Sequence, residues 1–65
     1  MTKFSKHELV ENKKGELYMI AAIPDGRKLE YCDEEFYEYY EIGDSNIWVR
    51  RKSEFEDGRF FNLNR

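Results

Sequence analysis

The stretch that most constrains this chain is residues 17–23, LYMIAAI, which is nearly all apolar. Seven residues are far fewer than the roughly 18–20 that cross a bilayer. An almost continuous apolar run is typical of a strand that is covered on both faces of its sheet. We therefore predict a strand over residues 16–23 with a covering layer on each side.

Turn signals alternate with strand signals along the rest of the chain. Gly, Pro, Asn and Asp favour turns because of their backbone preferences, and they predict turns at residues 12–15, 24–26 and 56–58. The segments between the turns predict further strands at residues 4–10, 27–32, 46–52 and 59–63. The predicted strands are short and regularly spaced.

Residues 33–40 predict a short helix instead of a strand. Asp33 is a good N-cap, and the two glutamates after it suit the positive end of a helix dipole. Phe36, Tyr39 and Tyr40 would share one helical face at i, i+3 and i+4. The helix would comprise one or two turns.

These elements predict a mostly β fold for the single domain of residues 1–65. It would be a five-stranded SH3-like or OB-like small barrel, or an open meander, with one helical turn before the fourth strand. An aromatic content of 17% helps such a small core to become sufficient.

Some of these elements also fit a known pattern. The pattern is an apolar strand at 18–23, Asp25-Gly26, a returning strand at 28–32, Tyr37 six residues before Gly43-Asp44, a strand at 47–50 and Gly58-Arg59-Phe60. Residues 16–65 thereby resemble an uncharacterised bacterial small β-barrel family, a domain of unknown function usually found behind one transmembrane helix. That membrane helix has no counterpart in this sequence. The resemblance implies a fold and no activity.

The charge is unevenly distributed along the chain. The net charge is −3, and residues 29–49 contain no basic residue. Their seven acidic residues are Glu30, Asp33, Glu34, Glu35, Glu38, Glu41 and Asp44. Such segregation predicts a partner with a complementary basic surface. A solvated acidic face without a partner is the alternative.

Catalytic and metal-binding motifs are missing from the sequence. Cys32 and His7 are the only Cys/His pair, and no spacing matches a metal site. We predict no enzymatic activity, no cofactor, no metal and no membrane partner. A single cysteine and a polar start of the chain predict a cytoplasmic location.

We predict a small acidic protein-interaction module, with Tyr37 and Tyr39 as contact residues; the sequence leaves open whether these two side chains are exposed. The charges steering the partner would be Glu34, Glu35, Glu38 and Glu41. Size and charge make the chain similar to inhibitors encoded by phages and mobile elements, which would occlude a basic surface of a host protein. Alternatively, residues 33–44 plug the end of a barrel, with the rings in the core and the acids at the rim.

Two further functions stay open. Basic and aromatic residues on neighbouring strands suit binding of single-stranded nucleic acid; these are Trp48, Arg50, Arg51, Lys52, Arg59 and Phe60. The other alternative is a structural subunit of a homo-oligomer that associates through a free strand edge.

Overall fold

The computed structural model describes residues 2–28 and 30–63, and in them one antiparallel sheet of five strands dominates. The strands are β1 (Leu9–Asn12), β2 (Leu17–Ala22), β3 (Phe36–Glu41), β4 (Trp48–Arg51) and β5 (Phe60–Asn62). One short helix, α1 (Lys52–Phe55), lies between β4 and β5. The strand order is β4-β3-β2-β1-β5, so the most apolar strand, β2, is central. The prediction of a mostly β fold with five strands and one short helix is confirmed.

The closed barrel is not confirmed. β4 and β5 are the two edges of the sheet, and within the described residues each pairs with a single neighbour. The sheet is therefore open, with two faces and two edges.

The predicted helix at residues 33–40 is wrong, because most of this segment is strand β3. Tyr37 and Tyr39 alternate with more exposed neighbours, and this period of two is that of a strand. Tyr39 pairs with Ile20 across the ladder to β2, which places both side chains on the same buried face. Burial of two tyrosines in a strand outweighs the local helix signals.

The strand predicted at residues 27–32 is wrong as well. A long connection leads from β2 to β3, and its described residues, 23–28 and 30–35, contain one β-bridge, between Lys28 and Glu35. Tyr31 breaks the extended path, since it has a left-handed φ of 64° and is fully exposed. Leu29, inside the predicted strand, lies outside the described residues.

The first and fourth predicted strands are shortened, and the helix has moved. Residues 4–8 form bends and turns, so only the end of the segment predicted at 4–10 is a strand. β4 passes directly into α1, which occupies the end of the segment predicted as a strand at 46–52.

The core lies on one face of the sheet, which we call the inner face. Its sheet residues are buried and are Val10, Ile20, Tyr37, Tyr39 and Phe60. Phe55 of α1 covers them, stacked on Phe60 at 4.2 Å and on Tyr37 at 4.5 Å between ring centroids. Phe4, from the segment before β1, meets the Phe55 ring edge-on at 5.5 Å. Aromatic contacts from four separate segments thus make up most of the core.

A hydrogen-bonded cluster fixes the segment before β1 over this core. The Tyr37 hydroxyl donates to Glu56 Oε2 at 2.5 Å and accepts from the Phe4 amide at 3.3 Å. The Lys3 amide donates to the same Glu56 oxygen at 3.0 Å. Burial, followed by the Glu56 carboxylate, raises the pKa of Tyr37 well above its usual range. Burial alone would raise the pKa of Glu56, but hydrogen bonds from Lys3, Tyr37 and Lys52 lower it overall.

Tyr37→Phe should lower the free energy of unfolding by about 1–3 kcal/mol, because it leaves partners of the hydroxyl unsatisfied in a partly buried position. Tyr40→Phe is the matched control: the Tyr40 hydroxyl donates to a weak acceptor, Met19 Sδ, at 3.0 Å. Its expected cost is under about 0.5 kcal/mol. Urea denaturation followed by circular dichroism compares the two. Equal costs would show that the cluster does not stabilise the fold.

Glu56 should also contribute to the acid sensitivity of the protein. Because its pKa is lower in the folded state, its contribution to stability is present at neutral pH and is lost as the pH falls through that lowered pKa. The stability difference between the wild type and Glu56→Gln should therefore shrink as the pH falls below about 4.3. Urea midpoints across this range measure it, with the exposed-site change Glu30→Gln as control. A difference that stays constant with pH would exclude the effect.

Candidate protein-binding surface

The tyrosines predicted as contact residues are in the core. Tyr37 is 0% and Tyr39 is 6% exposed, so the prediction that they meet a partner at the surface is wrong. Strand alternation explains the error, since both point to the inner face while Phe36, Glu38 and Tyr40 point the other way. The rings are core residues of a strand, not a plug of helical turns.

Two of the predicted steering carboxylates, Glu34 and Glu35, accept hydrogen bonds from backbone amides of the chain itself. Glu34 Oε2 accepts from the Ser53 amide at 2.7 Å. The residue before α1, Arg51, gives no side-chain cap, so Glu34 satisfies a free amide of the first helical turn. Hydrogen bonds from the Ser53 side chain and amide hold the pKa of Glu34 below its usual value. Glu35 Oε1 accepts from the Gly26 amide at 2.9 Å and so ties the long connection to the start of β3.

The other two predicted steering carboxylates lie on opposite faces of β3. Glu38 faces away from the core and is 3.8 Å from the Arg27 guanidinium. Glu41 is three residues further along the strand, at its end, and is partly exposed. The four predicted carboxylates therefore do not form one charged surface.

The predicted nucleic-acid platform is not assembled either. Arg50 is engaged on the inner face: its Nε donates to the Tyr39 hydroxyl at 3.3 Å and Nη1 lies 3.7 Å from Glu54. Its guanidinium also lies 5.8 Å from the centre of the Phe60 ring. Phe60 itself is only 5% exposed, so the predicted stacking residue is in the core.

The remaining residues of that platform are dispersed. Trp48 is 52% exposed at the edge of the sheet, whereas Arg51 points to the opposite face. Lys52 pairs with Glu56 at 3.3 Å, and Arg59 pairs with its turn neighbour Asp57 at 3.0 Å. Trp48 and Arg50 share the inner side of β4, whereas Arg51 lies on the other side, so the predicted platform is divided between the two faces of the sheet.

A different surface is assembled on the face of the sheet away from the core, which we call the outer face. Leu9 pairs with Met19, and Met19 pairs with Tyr40. The Leu63 amide donates to the Leu9 carbonyl at 3.2 Å, which extends this row past β5. The ladder between β3 and β4 ends with Tyr39 paired to Trp48, so the next residues along it are Tyr40 and Ile47, the residue before β4. The resulting outer row crosses the whole sheet and consists of Leu63, Leu9, Met19, Tyr40 and Ile47.

Parallel rows extend the apolar character of the outer face. Phe61 and Leu17 both pair with Glu11, and the Ile42 amide donates to the Leu17 carbonyl at 3.0 Å. On the opposite side of the outer row, Val49 pairs with Glu38. Several of these side chains are strongly exposed: Ile42 (49%), Ile47 (52%), Val49 (47%) and Leu63 (39%).

Few charges interrupt the outer face. Among the strand residues that point to it, Glu11, Glu38 and Arg51 are charged. Arg27 reaches in from the long connection, 3.8 Å from Glu38 and 5.7 Å from the Phe36 ring, and covers one end of the face. The rest is an apolar surface spanning the sheet.

The signal for this surface was present in the sequence. The nearly apolar stretch at 17–23 favours apolar contacts on both faces of the sheet, and the prediction of a strand covered on both faces included this. Reading residues 36–41 with a period of two would have assigned Tyr40 to the same face as Met19. The helix predicted at residues 33–40 did not place Tyr40 and Met19 on the same face of a sheet.

Metal-binding side chains do not cluster in the described part of the chain. Within residues 2–28 and 30–63, no three His, Cys, Asp or Glu side chains converge as metal ligands and no pocket opens. Cys32 is partly buried with Sγ 4.0 Å from the Glu34 carbonyl, and His7 is exposed in a turn. No helix in these ranges is long and apolar enough to span a membrane. A non-enzymatic protein and its cytoplasmic location stay predictions.

Comparisons of the chain with models of protein families, with curated proteins and with solved structures found no match. The resemblance of residues 16–65 to the small bacterial β-barrel family therefore stays a prediction.

Proposed function

We propose that this chain is a small, non-enzymatic protein-binding module whose binding surface is the outer face of its sheet. The observation that carries the proposal is the outer row. Its apolar side chains lie next to one another from one edge of the sheet to the other. An antiparallel sheet with one face in water normally presents polar residues there. A contiguous apolar surface instead is typical of an interaction site.

The exposed side chains can supply useful binding energy. Burial of apolar surface contributes about 25 cal/mol per Å². Ile47 and Val49 are each about half exposed, at the edge where a partner could also add a strand to β4. The tyrosine of the row, Tyr40, offers a large ring with few rotatable bonds.

A protein fits this face better than a small molecule or a membrane does. The described residues form no concave site of the kind that surrounds a small ligand. Cytoplasmic membrane surfaces are negatively charged and would repel a chain of net charge −3 that carries Glu11 within the face itself. Another protein can place a matching apolar patch over the outer row and leave Glu11 at the rim.

The acidic residues of segment 29–49, which we call the acidic segment, would then increase the association rate more than they strengthen the bound complex. Glu30, Asp33 and Asp44 are exposed and lie in the connections before and after β3. Such charges speed the approach of a partner that carries basic groups.

Site-specific photo-crosslinking tests the proposal. A photoreactive phenylalanine analogue at Tyr40, which lies in the outer row, should give a cross-linked protein product in cells. The same analogue at Tyr31, which is fully exposed but outside the sheet, is the matched control and should give none. The double variant Ile47→Glu, Val49→Glu should reduce the Tyr40 product at least about tenfold. Equal products at both positions, or none at Tyr40, would contradict the proposal.

A further inference from the structure

We infer that the protein occupying the outer face is a second copy of this chain. The two sheets would pack face to face as a sandwich around a twofold axis that passes near Met19, parallel to β2. This inference rests on the proposed function, because it takes the outer face as a protein-binding surface and names its occupant.

The composition of β2 is the first argument. Its inner side chain Ile20 is fully buried, and its outer side chains Leu17 and Met19 are equally apolar but only partly covered. A strand of this composition is expected between two layers. The described chain provides one of them, through Phe55 and Phe4. Within residues 2–28 and 30–63 the outer side chains of β2 keep exposed surface, and a second copy would cover it.

Size is the second argument. A chain of about 60 residues buries only about 60% of the surface that its unfolded form exposes. Small domains gain stability by oligomerisation when their own core is limited. Here the buried core consists of Phe4, Val10, Ile20, Tyr37, Tyr39, Phe55 and Phe60. A copy of the chain is available wherever the chain itself is made.

The arrangement of the outer row suits a twofold axis. Rotation about an axis along β2 at Met19 brings Met19 opposite its own equivalent. The same rotation brings Leu9 of one copy opposite Tyr40 of the other, and Leu63 opposite Ile47. Apolar residues therefore meet apolar residues along the whole row. Two sheets with the same twist also pack in the aligned manner, about 10 Å apart.

The available area is sufficient for a weak specific dimer. Five strands about 4.8 Å apart are about 24 Å wide, and the rows from Arg51 to Phe61 cover about 20 Å along the strands. Each copy would thus contribute at most about 500 Å², or about 1,000 Å² in total, because the rows at Val49 and Arg51 do not extend across β1 and β5; this total is the lower limit for a specific interface. The expected dissociation constant is in the micromolar range.

Salt separates this dimer from the binding of a basic partner. Two chains of net charge −3 repel each other, and salt screens that repulsion. Self-association through apolar rows should therefore strengthen between about 0.05 and 0.5 M NaCl. Attraction between the acidic segment and a basic partner would weaken over the same range.

The test is sedimentation velocity of the purified chain from about 1 to 500 μM. The wild type is compared with two variants that carry opposite charges at position 19, measured separately and mixed. The wild type should shift from monomer to dimer across this range. Met19→Glu and Met19→Lys each place like charges at the axis, and each should raise the dimer dissociation constant at least about 100-fold. Mixing the two variants should restore a dimer, because Glu of one copy then meets Lys of the other.

Tyr31→Glu is the control, an exposed aromatic changed to the same acid outside the sheet, and it should dimerise like the wild type. Circular dichroism shows that each variant is folded; if Met19→Glu is not, Ile47→Glu at the exposed end of the row replaces it. A wild type that is monomeric at 500 μM would overturn the inference. So would a dimer that survives Met19→Glu, or a mixture that stays monomeric.

The two proposals can fail separately. If the wild type is monomeric but the Tyr40 probe cross-links a different protein, the protein-binding function stands and the second copy is excluded. If neither experiment gives a protein at the outer face, both proposals are wrong.

Discussion

The pairing of Ile20 with Tyr39 is the contact on which the rest of the sheet depends. It fixes which side of β3 faces the core, and a shift by one residue would move every side chain of β3 to the other face. Tyr37 would then lose Phe55, and Tyr40 would replace Tyr39 beneath the helix. The β2–β3 register becomes irregular only beyond Ile20, toward Ala22, where the long connection begins. The inner and outer faces thus share one determinant.

The small helix shows how strongly tertiary contacts control this fold. α1 has four residues and no side-chain cap from the residue before it, so it would not persist in isolation. Phe55 anchors it between Tyr37 and Phe60, and Glu34 bonds the Ser53 amide. Its position is set by β3 and β5, which lie before and after it in the sequence. Nothing within residues 52–55 alone specifies a helix.

This dependence explains what the sequence could and could not predict. β2 was predictable because its apolar run ends at Pro24, and β5 was predictable because its apolar residues follow the turn at Gly58. The β3 segment was not, since Asp33 and three aromatic residues fit the start of a helix as well as a strand, and short runs do not separate the two. The burial of Tyr37 depends on Glu56 and Phe4, which are distant in sequence. A local pattern has no access to such partners, and the outer face was missed with it.

The neighbouring positions of β1 and β5 also affect when the chain can fold. β1 lies near one end of the chain and β5 near the other, yet Glu11 pairs with Phe61. The core ring Phe4 likewise rests on Phe55. Contacts between residues so far apart in sequence slow folding, because a long loop must close before they form. During synthesis, β1, β2 and β3 emerge before β5, so β1 at first lacks its second neighbour in the sheet. Completion of the sheet must therefore wait until translation has delivered β5.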